Sequence, residues 1–485
     1  MDLKCEYNVN SLGVDVQNPR LSWKIKSDQR GAAQSAYRVL AATDEKLLQN
    51  EIPDLWDSGK IESDQSIQVE YNGKPLKSGM KVYWRVQVWD ENGALLPDSE
   101  IVFWEMGLLD KSDWKAKWIG APGMESAIGQ DLTSPLFRKE FQAEKKIKSA
   151  RAYISGLGYY ELYINGKRVS DHQLSPNQTN YDRRFIEKWD EQRIGNMTTT
   201  VLYETFDITS FLNSDDNVFG VWLGNGWYIQ ADRPNDKPLW YDTPRLIAQF
   251  EIEYEDGTKD QIVSDESWKT SASPIIYNGL HSGEIYDARM EQPGWNAPGF
   301  KAVTWENAVL VRPPTGTLKS QQSPPDRITQ AIKPVSVTEV EKGVYRFDLG
   351  EMISGWARLK ISGEKGTEIN LRFIEELGPT YGQTDTYILK GEGTEIWEPR
   401  FTWHAFRFVE IRGSETPLTI DNLEGCVVNT DVKPAGSFYC SDSLLNHILK
   451  NYRSTHLGNI HGGIPSDCPH RERRGYTGDG QISAK

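Results

Sequence analysis

The 485-residue sequence predicts a mainly β chain, with three consecutive β-sandwiches followed by the start of a helical region. Three observations carry this reading. Short apolar runs alternate with period two as far as residue 434, turn residues separate them, and after Ser441 the apolar period changes to three and four. At this length several cores are needed, because a single core stops growing well below it.

The first unit spans residues 1–107. Pro19-Arg20-Leu21-Ser22-Trp23-Lys24-Ile25, Tyr37-Arg38-Val39-Leu40 and Val82 to Trp89 read as its strands, and Asp90-Glu91-Asn92-Gly93 closes one of them with turn chemistry. The second unit, 108–315, is clearest at Ala152 to Lys167. There two alternating runs flank Gly-rich turns, and Asn165-Gly166 is a strong hairpin signal. Within it, Gly224-Asn225-Gly226-Trp227-Tyr228 and Trp240-Tyr241-Asp242 place aromatic faces beside short polar groups, the combination a sugar ring needs. Asn225, Trp227 and Trp240 are therefore candidates for an accessory sugar site. A turn packed under Trp227 explains the same residues, since Asn-Gly is first of all a turn former. Asp287 and Arg289 stand two apart on an extended segment and predict a structural ion pair.

Pro313-Pro314 and Pro324-Pro325 mark a connection into the third unit, 326–434. Its strands include Tyr345 to Gly350, Gly355 to Ile361 and Phe401 to Ile411, with His404 expected to be a packed strand residue. In the last unit, 435–485, Ser441 or Asp442 can cap a helix carrying Leu444, Leu445, Ile448, Leu449 and Tyr452 on one face, and Gly458 can end it.

A net charge of −14 without a dense basic run argues against nucleic acid as a partner. The four cysteines lack metal-ligand spacing, so neither a zinc site nor a disulfide framework is expected. No apolar stretch of about eighteen residues predicts a membrane partner. Met1 to Cys5 lacks a basic stretch followed by an apolar run. A cytoplasmic location follows if the chain is complete at Met1, a periplasmic or secreted one if a signal was removed. No nucleophile elbow, phosphate loop or dinucleotide motif occurs.

The chemistry concentrates in Asp467-Cys468-Pro469-His470-Arg471-Glu472-Arg473-Arg474-Gly475-Tyr476-Thr477-Gly478-Asp479. Pro469 removes a donor, and Gly475 and Gly478 allow positive φ, so a rigid winding loop is expected. Glycosidic cleavage uses two carboxyl groups, one donating a proton and one activating water or attacking carbon. Glu472 is the candidate donor. Asp467 and Asp479 would raise its pKa and the three arginines would lower it, so spacing alone leaves its protonation open. A structural Arg–carboxylate clamp also accounts for the pattern.

The order Asp-Cys-Pro-His-Arg-Glu followed by Gly-Tyr-Thr-Gly-Asp resembles the catalytic loop of bacterial α-L-rhamnosidases of glycoside hydrolase family 78. The resemblance implies that Glu472 is the general acid and that Asp467 and Asp479 bind the sugar, with Arg471 and Tyr476 beside them. Tyr476 stands where that family more often has Trp. It further implies a fibronectin-type first sandwich, a jelly-roll second and a third abutting an (α/α)6 barrel, of which only the first helix and catalytic loop fall within the 485 residues. The water-activating base would then lie beyond Lys485, and the chain alone is expected to be a C-terminal truncation with little hydrolytic activity. The implied reaction is inverting release of terminal L-rhamnose from glycans or glycosides. Equivalent jelly rolls in some relatives bind rhamnose with calcium, but no dense Asp/Asn run marks such a site here, so no cofactor is assigned. A non-catalytic carbohydrate-binding protein of three sandwiches is the alternative.

Overall fold

Alternation along Lys81–Asp90 buries Val82, Trp84, Val86 and Val88, and this strand forms the centre of the first sandwich in a computed structural model of the chain. The structure describes residues 2–124, 133–182, 198–230, 239–377, 382–475 and 478. Lys81–Asp90 pairs antiparallel with Gln34–Ala42 and with Val102–Glu105. The facing sheet is Asp2–Cys5, Arg20–Lys24 and Val69–Glu70. Trp23, Tyr71, Trp84 and Trp104 fill the space between, in edge-to-face pairs such as Tyr71 on Trp104 at 5.7 Å. The turn after Asp90 forms as expected: its Oδ1 accepts from the backbone N of Asn92 and Ala94, and Gly93 takes φ +77°. A five-residue helix, Glu45–Gln49, has no counterpart in the periodicity; it forms because the Asp44 side chain caps it and Leu48 is buried.

The second sandwich sets a six-stranded sheet centred on Asp216–Gly224 and Pro135–Gln142 against a sheet centred on Ile147–Leu157 and Arg245–Tyr254. Phe219 from one sheet stacks on Phe250 from the other at 3.8 Å. Asn165-Gly166 turns Tyr159–Ile164 into Lys167–Arg168 with φ of +52° and +81°, the two left-handed residues of a tight hairpin. Arg151 joins this sandwich to the first through a fork on Glu105, at 2.6 and 2.8 Å.

The third sandwich is built on the 18-residue strand Val344–Ile361, whose register on His404–Arg412 breaks between Asp348 and Ile353, where Gly350 has φ +79°. Beyond the break it pairs with Leu423–Thr430 and Glu395–Trp397. The hairpin Ile275–Gly279 and Gly283–Asp287 leaves the second sandwich and joins this sheet, with Gly283–Asp287 parallel to Thr384–Ile388. Thr317–Ser320 runs the other way, pairing in parallel with Thr200–Tyr203 of the second sandwich. One apolar core therefore runs from Leu157 and Trp222 to Trp356 and Phe401. Arg400 crosses the same junction, bonding Glu161 at 2.7 Å and lying 4.6 Å from the Trp222 ring centre. Asp287 and Arg289 form the expected ion pair, a two-point fork at 2.8 and 2.7 Å. His404 is fully buried, stacked on Phe373 and bonded to Asp385.

The helix is Ser443–Gly458, capped by the Asp442 carboxylate, which accepts from the backbone N of Leu444 and Leu445. Leu444, Leu445, Ile448 and Tyr452 are all exposed, so its apolar face has no cover among the described residues. No helix of the described residues is long and apolar enough to cross a membrane.

Candidate active site

The loop that concentrates the charged residues is entered through a hairpin, Ile460–His461 with Ile464–Pro465, turned by Gly462 and Gly463 at φ +61° and +73°. The hairpin is pinned to the third sandwich. Gly462 N donates to both carboxylate oxygens of Asp326 at 2.9 and 3.0 Å, and Gly463 N donates to Thr430 Oγ1 at 3.0 Å. From Ser466 to Gly475 the chain then winds without a regular element, and it closes where Asp467 N donates to Arg474 O at 3.3 Å.

The glycines act differently from expectation. Neither Gly475 nor Gly478 adopts positive φ; the left-handed residue is Arg473, at φ +57°. Gly475 is needed for close approach instead, since a Cβ there would stand 2.4 Å from Ile464 Cγ2.

Asp467, Cys468 and Glu472 come together, with ligand atoms within 4.8 Å of one another. The Cys468 thiol donates to Glu472 Oε2 at 3.2 Å, and Arg471 Nε stands 4.0 Å from Oε1. Glu472 is 41% exposed, open enough to meet a ligand. Its carboxyl is held below the usual range, first by the Cys468 hydrogen bond. That of Asp467 is raised, first by partial burial and then by the charge of Glu472, opposed by the backbone N–H of Cys468. Around them, His470 Nδ1 pairs with Glu375 at 3.0 Å, while Arg473 is buried. Tyr476 and Asp479 lie outside the described residues.

The accessory residues separate. Asn225 is buried, with its Nδ2 donating to Asn278 O at 2.6 Å and its backbone N donating to Asn278 Oδ1 at 2.9 Å, so it holds the turn. Trp240 sits in a strand paired with Ile229, and its side chain lies outside the described residues. Trp227 lines a cleft of about 330 Å³ with Gln230 and Tyr241, together with Ile464 of the entry hairpin and Arg474 and Gly475 of the acidic loop. Sequence reasoning missed this adjacency because these residues stand more than 220 positions apart. Among the described residues the second sandwich holds no cluster of three His, Cys, Asp or Glu donors.

Four family models match the chain in order. A Rha78A-like N-terminal immunoglobulin domain covers residues 1–110, an alpha-L-rhamnosidase N-terminal domain 145–189 and 192–330, a bacterial alpha-L-rhamnosidase concanavalin-like domain 338–429, and a bacterial alpha-L-rhamnosidase 6 hairpin glycosidase domain 433–485. An alpha-L-rhamnosidase of Formosa agariphila is 35% identical over 508 residues, covering 97% of this chain and 52% of the relative. The solved alpha-L-rhamnosidase structure from Dictyoglumus thermophilum superposes with a TM-score of 0.90 at 41% identity, covering 100% of this chain and 55% of that one. The Streptomyces avermitilis alpha-L-rhamnosidase complexed with L-rhamnose gives 0.88 at 27% identity, covering 100% and 62%. The chain thus spans about half the length of the curated relatives it matches. These likenesses do not favour a non-catalytic sugar-binding protein.

Proposed function

Because the chain belongs to the bacterial α-L-rhamnosidase family, we propose that its acidic loop is the proton-donating half of an inverting α-L-rhamnosidase site, with Glu472 as the general acid. The observation that carries this reading is the cluster of Glu472, Asp467 and Cys468 on a loop fixed to the third sandwich. Glu472 protonates the glycosidic oxygen as the bond to the anomeric carbon breaks. Asp467 does not activate the water: inversion needs the two carboxyls about 6.5–9.5 Å apart, and these two lie within 4.8 Å. Its role is to accept hydroxyls of the sugar, with Arg471, Tyr476 and Asp479 as further binding residues.

Sugar hydroxyls on Asp467 favour its ionised form, and that charge beside Glu472 favours the protonated acid. The Ser443–Gly458 helix is the first of an (α/α)6 barrel whose other helices cover its apolar face. The 1–107, 108–315 and 326–434 units are sandwiches that support this barrel. The cleft at Trp227 is continuous with the loop rather than a separate accessory site, and it receives the remainder of a rhamnose-containing glycoside.

Hydrolysis of p-nitrophenyl and alkyl α-L-rhamnosides by the full-length protein and its Glu472→Gln variant tests the assignment. Loss of a general acid costs about 10²–10⁴-fold, and less for nitrophenolate, which leaves without much help from a proton. Equal losses on both substrates would exclude Glu472 as the acid.

A further inference from the structure

We propose that Arg473 is a positioning residue that locks the direction of Glu472 by clasping the loop onto Trp403, an inference that rests on the general-acid reading of Glu472. Arg473 is 2% exposed, an unusual place for a guanidinium, and its backbone is left-handed, a conformation an arginine adopts only when its surroundings impose it. A glycine would take that φ without strain, so the side chain is what this position requires.

The contacts show why. The guanidinium carbon lies 4.2 Å from the Trp403 ring centre. One terminal nitrogen donates to Leu280 O, in the hairpin that the second sandwich lends to the third, and the other donates to Gln383 Oε1 at 3.2 Å. Gln383 is itself fixed, since its Nε2 donates to Ala405 O and its Oε1 accepts from Ala405 N. Trp403 is 1% exposed and also carries His461, stacked at 3.8 Å and 17°. His461 is held in turn by Ser354 Oγ at 2.7 Å and by Asp326 at 3.4 Å.

His461 lies at the entry to the loop and Arg473 just past the acid, so one buried tryptophan grips both ends. The segment between carries Asp467, Cys468 and Glu472. Because Glu472 and Arg473 share a peptide unit, fixing the arginine fixes the bond vector from which the acid projects. Lysine cannot replace it, lacking both the planar face that lies on an indole and the fork that reaches two acceptors.

Arg473→Lys and Arg473→Met test this in the full-length protein, with Arg473→Gly as a variant whose backbone is relaxed if the others fold poorly. The first readout is the ratio of kcat on p-nitrophenyl to kcat on alkyl α-L-rhamnosides, which does not depend on how much enzyme is folded. A displaced acid raises that ratio at least about tenfold, with KM changed much less than kcat. The second readout needs no catalysis. Cys468 is part-buried against Glu472, whereas Cys5 and Cys426 are buried. Iodoacetamide labelling of Cys468, followed on its own peptide by mass spectrometry, should therefore accelerate several-fold when Arg473 is replaced. A wild-type ratio together with reduced total activity would make Arg473 a stability residue and overturn the proposal, as would labelling at the wild-type rate. A wild-type ratio in Glu472→Gln would instead overturn the general-acid reading, and with it the role given to Arg473, whatever the labelling shows.

Discussion

Glu284 should make the junction of the second and third sandwiches weaken as pH rises, and Glu284→Gln should remove that weakness. Its carboxyl is 1% exposed, between the strand Gly283–Asp287 and the turn at Arg400. Burial, and then the charge of Asp385, push its pKa from 4.5 up to about 8, against the backbone N–H of Arg400 and Phe401 and the charge of Arg400. Oε2 accepts those two N–H groups at 3.2 and 3.4 Å, while Asp385 accepts from the backbone N of Glu284 and pairs with His404. The folded protein therefore holds a proton that the unfolded chain releases near pH 4.5. Stability from this group is complete below pH 4.5, falls across the window to about pH 8, and is flat above it. At about 1.4 kcal/mol for each pH unit the full loss is about 5 kcal/mol, an upper bound because a carboxylate can recruit water or shift towards Arg400. Urea unfolding followed by tryptophan fluorescence at pH 5 and pH 9 measures it. Glu284→Gln should match the wild type within about 1 kcal/mol at pH 5 and exceed it by several at pH 9. The same difference between the two proteins at both pH values would refute the reasoning.

The Cys468 thiol is the first cause of the lowered Glu472 pKa, so Cys468→Ala should move the alkaline limb of the pH–rate profile to higher pH. Cys468→Ser, which keeps a donor, should not. On the Ser443–Gly458 helix, Ile448 is 54% exposed beside Leu444 and Leu445; Ile448→Glu in the 485-residue chain should reduce self-association by analytical ultracentrifugation without lowering the unfolding midpoint, and an unchanged sedimentation profile would count against an adhesive face.

What the sequence makes legible is local. Asn165-Gly166 encodes its hairpin because two left-handed residues are written into the pair, and Asp442 announces the helix because a cap bonds only two and three residues ahead. The same logic misplaces the strain in the acidic loop: glycines at 475 and 478 look like its pivots, yet Arg473 takes the left-handed backbone. That reversal is decided by Leu280, 193 residues earlier, and Gln383, 90 residues earlier, and no spacing rule sees either. Three arginines in four positions look alike in the sequence. In the structure Arg471 faces solvent, Arg473 is sealed beneath the loop and Arg474 lines the Trp227 cleft. The motif could point to a proton donor because the donor's own chemistry is local. The apparatus that aims it could not be read, because the three sandwiches meet only once folded, and the pieces that hold Glu472 in place come from two of them. A substitution that leaves the motif intact but loosens Trp403 or Gln383 should therefore impair the acid as surely as a change within the loop, which is where sequence comparison alone would look last.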